Sequence, residues 1–218
     1  MLKPRMAAMS VFSVAVFVGL AVFAAGGLAA FLAHAPYVAL VAITLLLLVA
    51  ALFTRAHLGS GVQEDRSNRW VIPALGVLGL GGAIVPPVCD RFDFLVIDGD
   101  TVRWIGVALY AIGGALRLAP VFILGERFSG LVAIQPGHRL VTTGLYGVIR
   151  HPSYLGMLVL SLGWALAFRS ALGLPIVAAT LIPLTARMDA EEKLLAQYFG
   201  QDYVIYSART WRLVPGLY

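Results

Sequence analysis

Charged residues are scarce in this sequence. Asp, Glu, Lys and Arg make up 12% of its 218 residues, whereas soluble domains carry about 25%. Instead, 60% of the residues are hydrophobic and the mean hydropathy is +0.89. Several apolar stretches are long enough to cross a bilayer, which takes roughly 20 helical residues. The composition excludes an ordinary soluble domain and predicts an all-α, polytopic integral membrane helix bundle.

Cysteine pairs and metal-binding patterns are lacking as well. The single cysteine, Cys89, excludes an internal disulfide. The four histidines, His34, His57, His138 and His151, do not have the spacing of metal ligands, so we expect no metal. The net charge of +5 could indicate a nucleic-acid partner, but the sequence has neither a lysine-rich run nor a basic groove pattern. We therefore expect no nucleic acid and attribute the basic excess to membrane topology.

Six apolar spans are predicted. They lie near residues 8–33, 37–54, 70–88, 103–124, 153–168 and 171–186, and the short last two can form a tilted hairpin. With the N-terminus in the cytoplasm, twelve Lys and Arg residues fall inside and only Arg91, Arg103 and Arg169 fall outside, which satisfies the positive-inside rule. We therefore expect both termini in the cytoplasm, at the inner membrane of a bacterium or the endoplasmic reticulum of a eukaryote.

Two apolar stretches have alternative interpretations. Lys3 and Arg5, followed by an apolar run and Ala33-His34-Ala35, resemble a secretory signal with its cleavage site. The run is longer than the 7–15 residues of such a signal, so we expect a retained span. The glycines of residues 76–82 faintly resemble a dinucleotide-binding loop, but they lie inside an apolar span without a preceding strand. Close helix packing through small residues is the favoured interpretation there.

Residues 137–156, GHRLVTTGLYGVIRHPSYLG, form a polar and turn-rich run between apolar segments. A membrane protein keeps such backbone only where it lines a protein-enclosed or wet cavity. Proline suits the first turn of a helix, so a helix should begin near Pro152. Its N-terminus would suit an anion, and the rings of Tyr146 and Tyr154 could face a cation. Taken singly, these residues could equally be interface anchors or a helix cap.

A second polar cluster, residues 187–192, follows the last span. Arg187 and Glu191 are four residues apart and share one helical face. Such a pair could be solvated and contribute only about 0.2–0.5 kcal/mol, yet it lies where an apolar helix leaves the bilayer. We expect the two polar clusters to form one cofactor site at the cytoplasmic membrane surface.

These two clusters together resemble the isoprenylcysteine carboxyl methyltransferase and phospholipid methyltransferase family. The matching elements are HxLV, G-x-Y, RHPxYxG, R-x-x-x-E-E and FGxxYxxY, in the family's order within residues 103–218. The resemblance implies an integral membrane enzyme that uses S-adenosyl-L-methionine and a lipophilic or lipid-anchored acceptor arriving among the membrane lipids. It also implies two regions, N-terminal transmembrane helices over 1–102 and a methyltransferase core over 103–218.

The resemblance also assigns roles to individual residues. It implies cofactor contacts from His138, Arg139, Leu140, Val141, Tyr146, His151, Pro152, Ser153, Tyr154 and Glu191. It places Arg187 on the acceptor side and makes Arg187 and Glu191 the catalytic pair. The α-amino group and sulfonium of the cofactor are cations that suit Glu191 and aromatic faces, and Arg187 could hold an anionic acceptor. Arg117, a charge within the fourth span, is a further acceptor candidate, or it could extend toward the cytoplasmic end.

The acceptor and the reaction class have alternatives. A carboxylate, as in an isoprenylcysteine, needs no general base, whereas a phospholipid amine or a thiol would have to lose a proton, with Glu191 or Glu192 as the nearest base. A NADPH-dependent membrane reductase of the sterol-reductase type has a similar C-terminal design, but with asparagine-tyrosine after its arginine-histidine pair, where this sequence has Pro152-Ser153-Tyr154. A non-catalytic membrane protein with a vestigial site is the third alternative.

Overall fold

The computed structural model describes residues 3–55, 57 and 59–218. Eight α-helices are described: α1 Pro4–Ala24, α2 Leu28–Leu32, α3 Ala35–Leu52, α4 Val71–Arg91, α5 Asp100–Leu124, α6 Pro152–Ala167, α7 Gly173–Phe199 and α8 Gln201–Ser207. Two short strands, β1 Gln63–Glu64 and β2 Ala133–Ile134, pair antiparallel. Turns of 3₁₀ helix cover Arg66–Trp70, Gly125–Arg127 and Gly144–Gly147. The prediction of an all-α membrane bundle is confirmed.

Four helical segments of the described chain are long and apolar enough to cross a membrane: Pro4–Ala24, Ala35–Leu52, Arg66–Arg91 and Asp100–Arg127. The shorter apolar helix α6 and the long helix α7 follow, joined by a tight turn. The prediction of one span over residues 8–33 is wrong at its C-terminal end, because α1 stops at Ala24. Gly26 and Gly27 both have φ of 101°, a conformation that favours glycine, and they turn the chain into the separate helix α2.

Helices α5 and α6 pack backbone against backbone. A Cβ atom at Gly113 of α5 would lie 2.2 Å from the backbone nitrogen of Leu160, and one at Gly156 of α6 would lie 2.4 Å from the backbone nitrogen of Arg117. Gly106 and Gly163 make the same kind of approach one heptad away. Small residues allow membrane helices this proximity, and it fixes the start of α6 against the C-terminal half of α5.

The glycines of α4 do not have this role within the chain. A Cβ atom at Gly76, Gly79 or Gly82 would meet no other described residue within 4 Å. The interpretation of residues 76–82 as a close-packing surface is therefore not supported at these three positions, whereas a Cβ at Gly81 would lie 3.9 Å from Ile176 of α7. Gly76 and Gly79 are exposed, and Gly82 is half-buried, with its carbonyl accepting from Trp164 Nε1 at 2.9 Å.

A buried ionic cluster ties the helices together at the end where α4 stops and α5 starts. Arg103 donates to both carboxylate oxygens of Asp90 at 3.0 and 2.9 Å, and Arg169 donates to Asp90 at 2.8 Å. Tyr37 of α3 joins the same carboxylate. The side chains of Arg103 and Asp90 are only 7% and 6% exposed, so the charges compensate one another inside the protein.

The loop after α3 pairs with the loop after α5 through a structure that we call the clip, formed by residues 59–64 and 129–135. Besides β1 and β2, Val62 donates to the carbonyl of Ile134 at 2.8 Å, and Ser129 Oγ donates to the carbonyl of Gly59 at 2.9 Å. Gly61 has φ of 62°, and a Cβ there would lie 2.0 Å from the Ile134 carbonyl oxygen. The clip therefore joins the N-terminal helices to the loop that precedes α6.

Candidate functional site

A cavity of about 320 Å³ opens at the end of the bundle opposite the Asp90 cluster. Its wall comes from the start of α4, the loop over 127–141, the run over 146–157, the second half of α7 and the tyrosines of α8. All twelve residues predicted for the site line it: Arg117, His138, Arg139, Leu140, Val141, Tyr146, His151, Pro152, Ser153, Tyr154, Arg187 and Glu191. The two polar clusters of the sequence thus meet in one place.

The polar run of residues 137–156 enters helix α6 at the peptide bond between His151 and Pro152. Pro152 is the first residue of α6, as predicted, and His151 before it has φ of −124° and ψ of 57°. The backbone N–H groups of Arg150 and His151 donate to the carbonyls of Trp211 and Arg212 at 2.7 and 3.0 Å. The loop that leads to α6 is therefore held by the C-terminal tail.

Arg187, Tyr154 and Glu191 form one hydrogen-bonded group at the cavity wall. Arg187 Nε donates to Tyr154 Oη at 2.7 Å and to Glu191 Oε1 at 3.3 Å, and Tyr154 Oη donates to Glu191. Arg187 Nη2 donates to the carbonyl of Gly130 at 2.7 Å. The arginine side chain is 9% exposed and the glutamate 25%, so the pair belongs to the protein interior rather than to a solvated helix face.

Arg117 faces the cavity from α5. Its Nη1 donates to Ser153 Oγ at 2.5 Å, and Ser153 Oγ donates back to the carbonyl of Arg117 at 3.1 Å. The contact follows from the close approach of Gly156 to the Arg117 backbone. Two guanidinium groups, those of Arg117 and Arg187, therefore line the same cavity.

Glu192 proves to be a structural residue, which the sequence did not indicate. Its Oε1 accepts hydrogen bonds from Arg150 Nε at 3.0 Å, His151 Nε2 at 2.9 Å and Arg212 Nε at 3.0 Å. Burial alone would raise the pKa of this carboxyl, but the hydrogen bonds from His151, Arg212 and Arg150 outweigh it and lower the pKa to about 2. Glu192 is thus engaged by three donors and does not line the cavity, so the structure does not favour it as the base for an amine or thiol.

Two buried polar atoms of the cavity wall have no hydrogen-bond partner among the described residues: His138 Nδ1 and Tyr203 Oη. Buried polar groups are normally satisfied, so these two atoms are exceptions in the cavity wall. Burial, with the nearby charge of Arg127, lowers the pKa of His138 and keeps its ring neutral at neutral pH. In the sequence, Tyr203 is marked only as part of FGxxYxxY, and no role was predicted for it.

Side chains that precede residue 103 also reach the cavity. Ile72 and Leu75 of α4 line it, and Asn68 contacts α7 next to Arg187. Nothing in the local sequence marks these three residues as part of a site. In the described ranges, 3–55, 57 and 59–218, the structure has no cluster of three or more His, Cys, Asp or Glu side chains that could hold a metal ion.

Known proteins with similar sequences are methyltransferases. Residues 104–197 match the isoprenylcysteine carboxyl methyltransferase family. Protein-S-isoprenylcysteine O-methyltransferase B of Arabidopsis thaliana is 34% identical over 113 residues, which is 50% of this chain and 57% of that protein. The Dictyostelium discoideum protein-S-isoprenylcysteine O-methyltransferase is 31% identical over 122 residues, 53% of this chain and 50% of that protein. The matches thus span about half the length of these relatives.

The fold is also similar to a solved structure, that of the eukaryotic intramembrane Ras methyltransferase ICMT. The TM-score is 0.59 with 26% sequence identity, over 66% of this chain and 53% of the other. These matches do not favour the amine, thiol or reductase alternatives. Residues 104–197 of this chain are thus similar in sequence to the isoprenylcysteine carboxyl methyltransferase family, and the fold is similar to that of one solved methyltransferase.

Proposed function

We propose that this protein is a methyltransferase that uses S-adenosyl-L-methionine and methylates the carboxylate of an isoprenylcysteine-like acceptor at the cytoplasmic face of the membrane. The observation that carries the proposal is the single cavity in which the predicted cofactor residues meet two guanidinium groups, Arg117 and Arg187. The family of residues 104–197 supports the same reaction.

The residues of the cavity fit the proposed cofactor. S-adenosyl-L-methionine supplies an electrophilic methyl group on a sulfonium, and it would be held by the predicted set His138, Arg139, Leu140, Val141, Tyr146, His151, Pro152, Ser153, Tyr154 and Glu191. The unpaired His138 Nδ1 and Tyr203 Oη offer polar contacts for its hydroxyl and ring atoms. The start of α6 at Pro152 suits a carboxylate, and the Glu191 carboxylate suits an α-amino cation.

The acceptor end requires an anion. Arg187 and Arg117 can each bind a carboxylate by charge-assisted hydrogen bonds. A carboxylate is ionised at neutral pH and needs no base, whereas an amine or thiol does. Glu192 is held ionised by three donors, and Glu191 accepts from Tyr154 and Arg187. Because both glutamates are engaged, the protein is equipped to align a carboxylate and exclude water.

The remaining wall suits a lipophilic chain. Ile72, Leu75, Leu124 and Met157 present apolar side chains to the same cavity, and burial of apolar surface contributes about 25 cal/mol per Å². The acceptor would reach them laterally from the bilayer, which dissolves its isoprenoid chain. Membrane lipids are therefore the medium from which the substrate is drawn.

The test uses purified protein in lipid nanodiscs with methyl-labelled S-adenosyl-L-methionine. N-acetyl-S-farnesylcysteine should accept the label as a base-labile methyl ester, and its carboxamide, which lacks the anion, should not. Phosphatidylethanolamine and a lipophilic thiol serve as the amine and thiol acceptors. Transfer to either of these and not to the carboxylic acid, or tight NADPH binding without response to S-adenosylhomocysteine, would overturn the proposal.

A further inference from the structure

The clip brings a segment from outside the family-matching region into contact with the site. Residues 59–70 precede residue 104, where the family match begins. Asp65 donates its N–H to the carbonyl of Val132 at 3.0 Å and caps the 3₁₀ helix Arg66–Trp70 by accepting from the Ser67 N–H. The 3₁₀ helix is thereby held against the loop that carries Gly130, whose carbonyl accepts from Arg187.

Asn68 is the residue by which this segment meets α7. It is 7% exposed, and its Nδ2 donates to the carbonyl of Ala186, the residue before Arg187, at 3.1 Å. A carbonyl can only accept, so the amide must present Nδ2 to Ala186. Asn68 Oδ1 therefore points elsewhere, and it has no hydrogen-bond partner in the part of the chain that the structure describes.

Asn68 and Arg187 line a common small space. A second, small cavity of about 10 Å³ is lined by Asn68, Leu131, Val132 and Arg187, among others, and a volume of about 10–15 Å³ holds one water molecule. A guanidinium has five N–H donors. The hydrogen bonds of Arg187 among the described residues use Nε and Nη2. Within the described chain, Arg187 thus keeps unused N–H donors and Asn68 one unused acceptor, and both side chains line the same small space.

We propose that Asn68 is a positioning residue for Arg187: its Oδ1 accepts from the guanidinium through one water molecule and so holds it in the orientation that binds the acceptor carboxylate. The proposal rests on the proposed function for the identity of the acceptor. It assigns the N-terminal half of the chain a part in turnover, because the clip and the 3₁₀ helix deliver Asn68 to α7.

Turnover kinetics test the coupling between the two residues. Asn68→Ala should lower kcat/KM for N-acetyl-S-farnesylcysteine about tenfold, since a hydrogen bond to a charged group is lost, while the dissociation constant of S-adenosylhomocysteine stays within about twofold. In an Arg187→Lys background the same change should have almost no further effect. Arg66→Ala in the same 3₁₀ helix, whose side chain is 81% exposed, is the matched control and should behave like wild type.

A second measurement does not depend on turnover. In ¹⁵N spectra of arginine side chains, the Arg187 signals, assigned by their loss in Arg187→Lys, should be slowly exchanging in wild type and in Arg66→Ala, and broadened in Asn68→Ala. Unchanged Arg187 signals in Asn68→Ala, or rate losses that multiply in the double variant, would overturn the inference. If wild type transfers no methyl group but its Arg187 signals respond to Asn68→Ala, the proposed function fails and the positioning role stands.

Discussion

At the scale of single residues, Glu191 and Glu192 are neighbours in sequence, but their carboxylates lie in different surroundings. Glu191 faces the cavity together with Tyr154 and Arg187. Glu192 is turned toward Arg150, His151 and Arg212, outside the cavity lining. One carboxylate is thus placed to meet a ligand, while the other joins the polar run, α7 and the C-terminal tail.

The first prediction separates Glu191 from Arg187. Glu191→Gln should weaken S-adenosylhomocysteine binding by roughly 1.5–3 kcal/mol, if one charged hydrogen bond is lost. Arg187→Ala should leave that affinity nearly unchanged and lower the methyl-transfer rate, and Arg187→Lys should also be impaired, since an ammonium cannot reproduce the planar fork. Calorimetry and rate measurements on each variant provide the readout. An equal loss of cofactor affinity in Arg187→Ala would mean that the pair acts as one structural salt bridge.

The second prediction concerns Glu192 and pH. Its pKa is lowered from 4.5 to about 2, so its contribution, on the order of 3 kcal/mol at 1.36 kcal/mol per unit, is fully present above about pH 4.5. It is lost as the pH falls toward 2. Glu192→Gln should therefore lower the melting temperature at pH 7, and the difference from wild type should shrink below pH 4.5. Glu126→Gln, with a side chain 73% exposed, is the control; a pH-independent deficit in Glu192→Gln would contradict the assignment.

At the scale of elements, the contact between α5 and α6 positions the site. Gly113 and Gly156 let the two backbones meet, and this contact places Ser153 beside Arg117. A side chain at the contact would push apart the two helices that carry these residues. The stability of the bundle and the geometry of the acceptor end therefore depend on the same two glycines.

The third prediction follows from this contact. Gly113→Ala should destabilise the protein by about 1–3 kcal/mol, as overpacking does, and should lower turnover. Gly79→Ala on α4 is the matched control, because a Cβ there meets no described residue within 4 Å, and it should be neutral or slightly stabilising. The stability of both variants is measured as the melting temperature in detergent, followed by tryptophan fluorescence. Equal melting temperatures of Gly113→Ala and Gly79→Ala would argue against the close packing of α5 and α6.

How far the sequence could predict these elements depended on the range of the contacts. The start of α6 at Pro152 and the meeting of the two polar clusters follow from local residue types, and both are seen in the structure. The role of Glu192 was missed because Arg212, twenty residues later, must fold back to reach it. Glycine spacing does not reveal which helix is the partner, so the packing role was assigned to residues 76–82 instead of to α5 and α6.

At the scale of the whole molecule, the two ends of the bundle differ in the surroundings of their buried arginine side chains. At one end Arg103 and Arg169 share the buried carboxylate of Asp90 and pair further with Asp100 and Asp93. At the other end Arg117 and Arg187 line an open cavity. We propose that this second end faces the cytoplasm, as the distribution of Lys and Arg indicates.

The fourth prediction tests that orientation. On a Cys89→Ser background, a cysteine at Thr143 should react with a membrane-impermeant maleimide only from the cytoplasmic side, and a cysteine at Asp98 only from the opposite side. Both positions are exposed, whereas Gly137, with φ of 66°, tolerates a side chain poorly. Labelling of position 143 exclusively from the outside would invert the topology.

The part of the cavity wall formed by Ile72 and Leu75 has a consequence for engineering. These residues line the cavity but precede residues 104–197, which match the family model. Substitutions in α4 can thus reshape this part of the cavity while the motifs of residues 137–156 and 187–192 stay intact. Random libraries confined to residues 71–80 should therefore yield variants with altered acceptor preference.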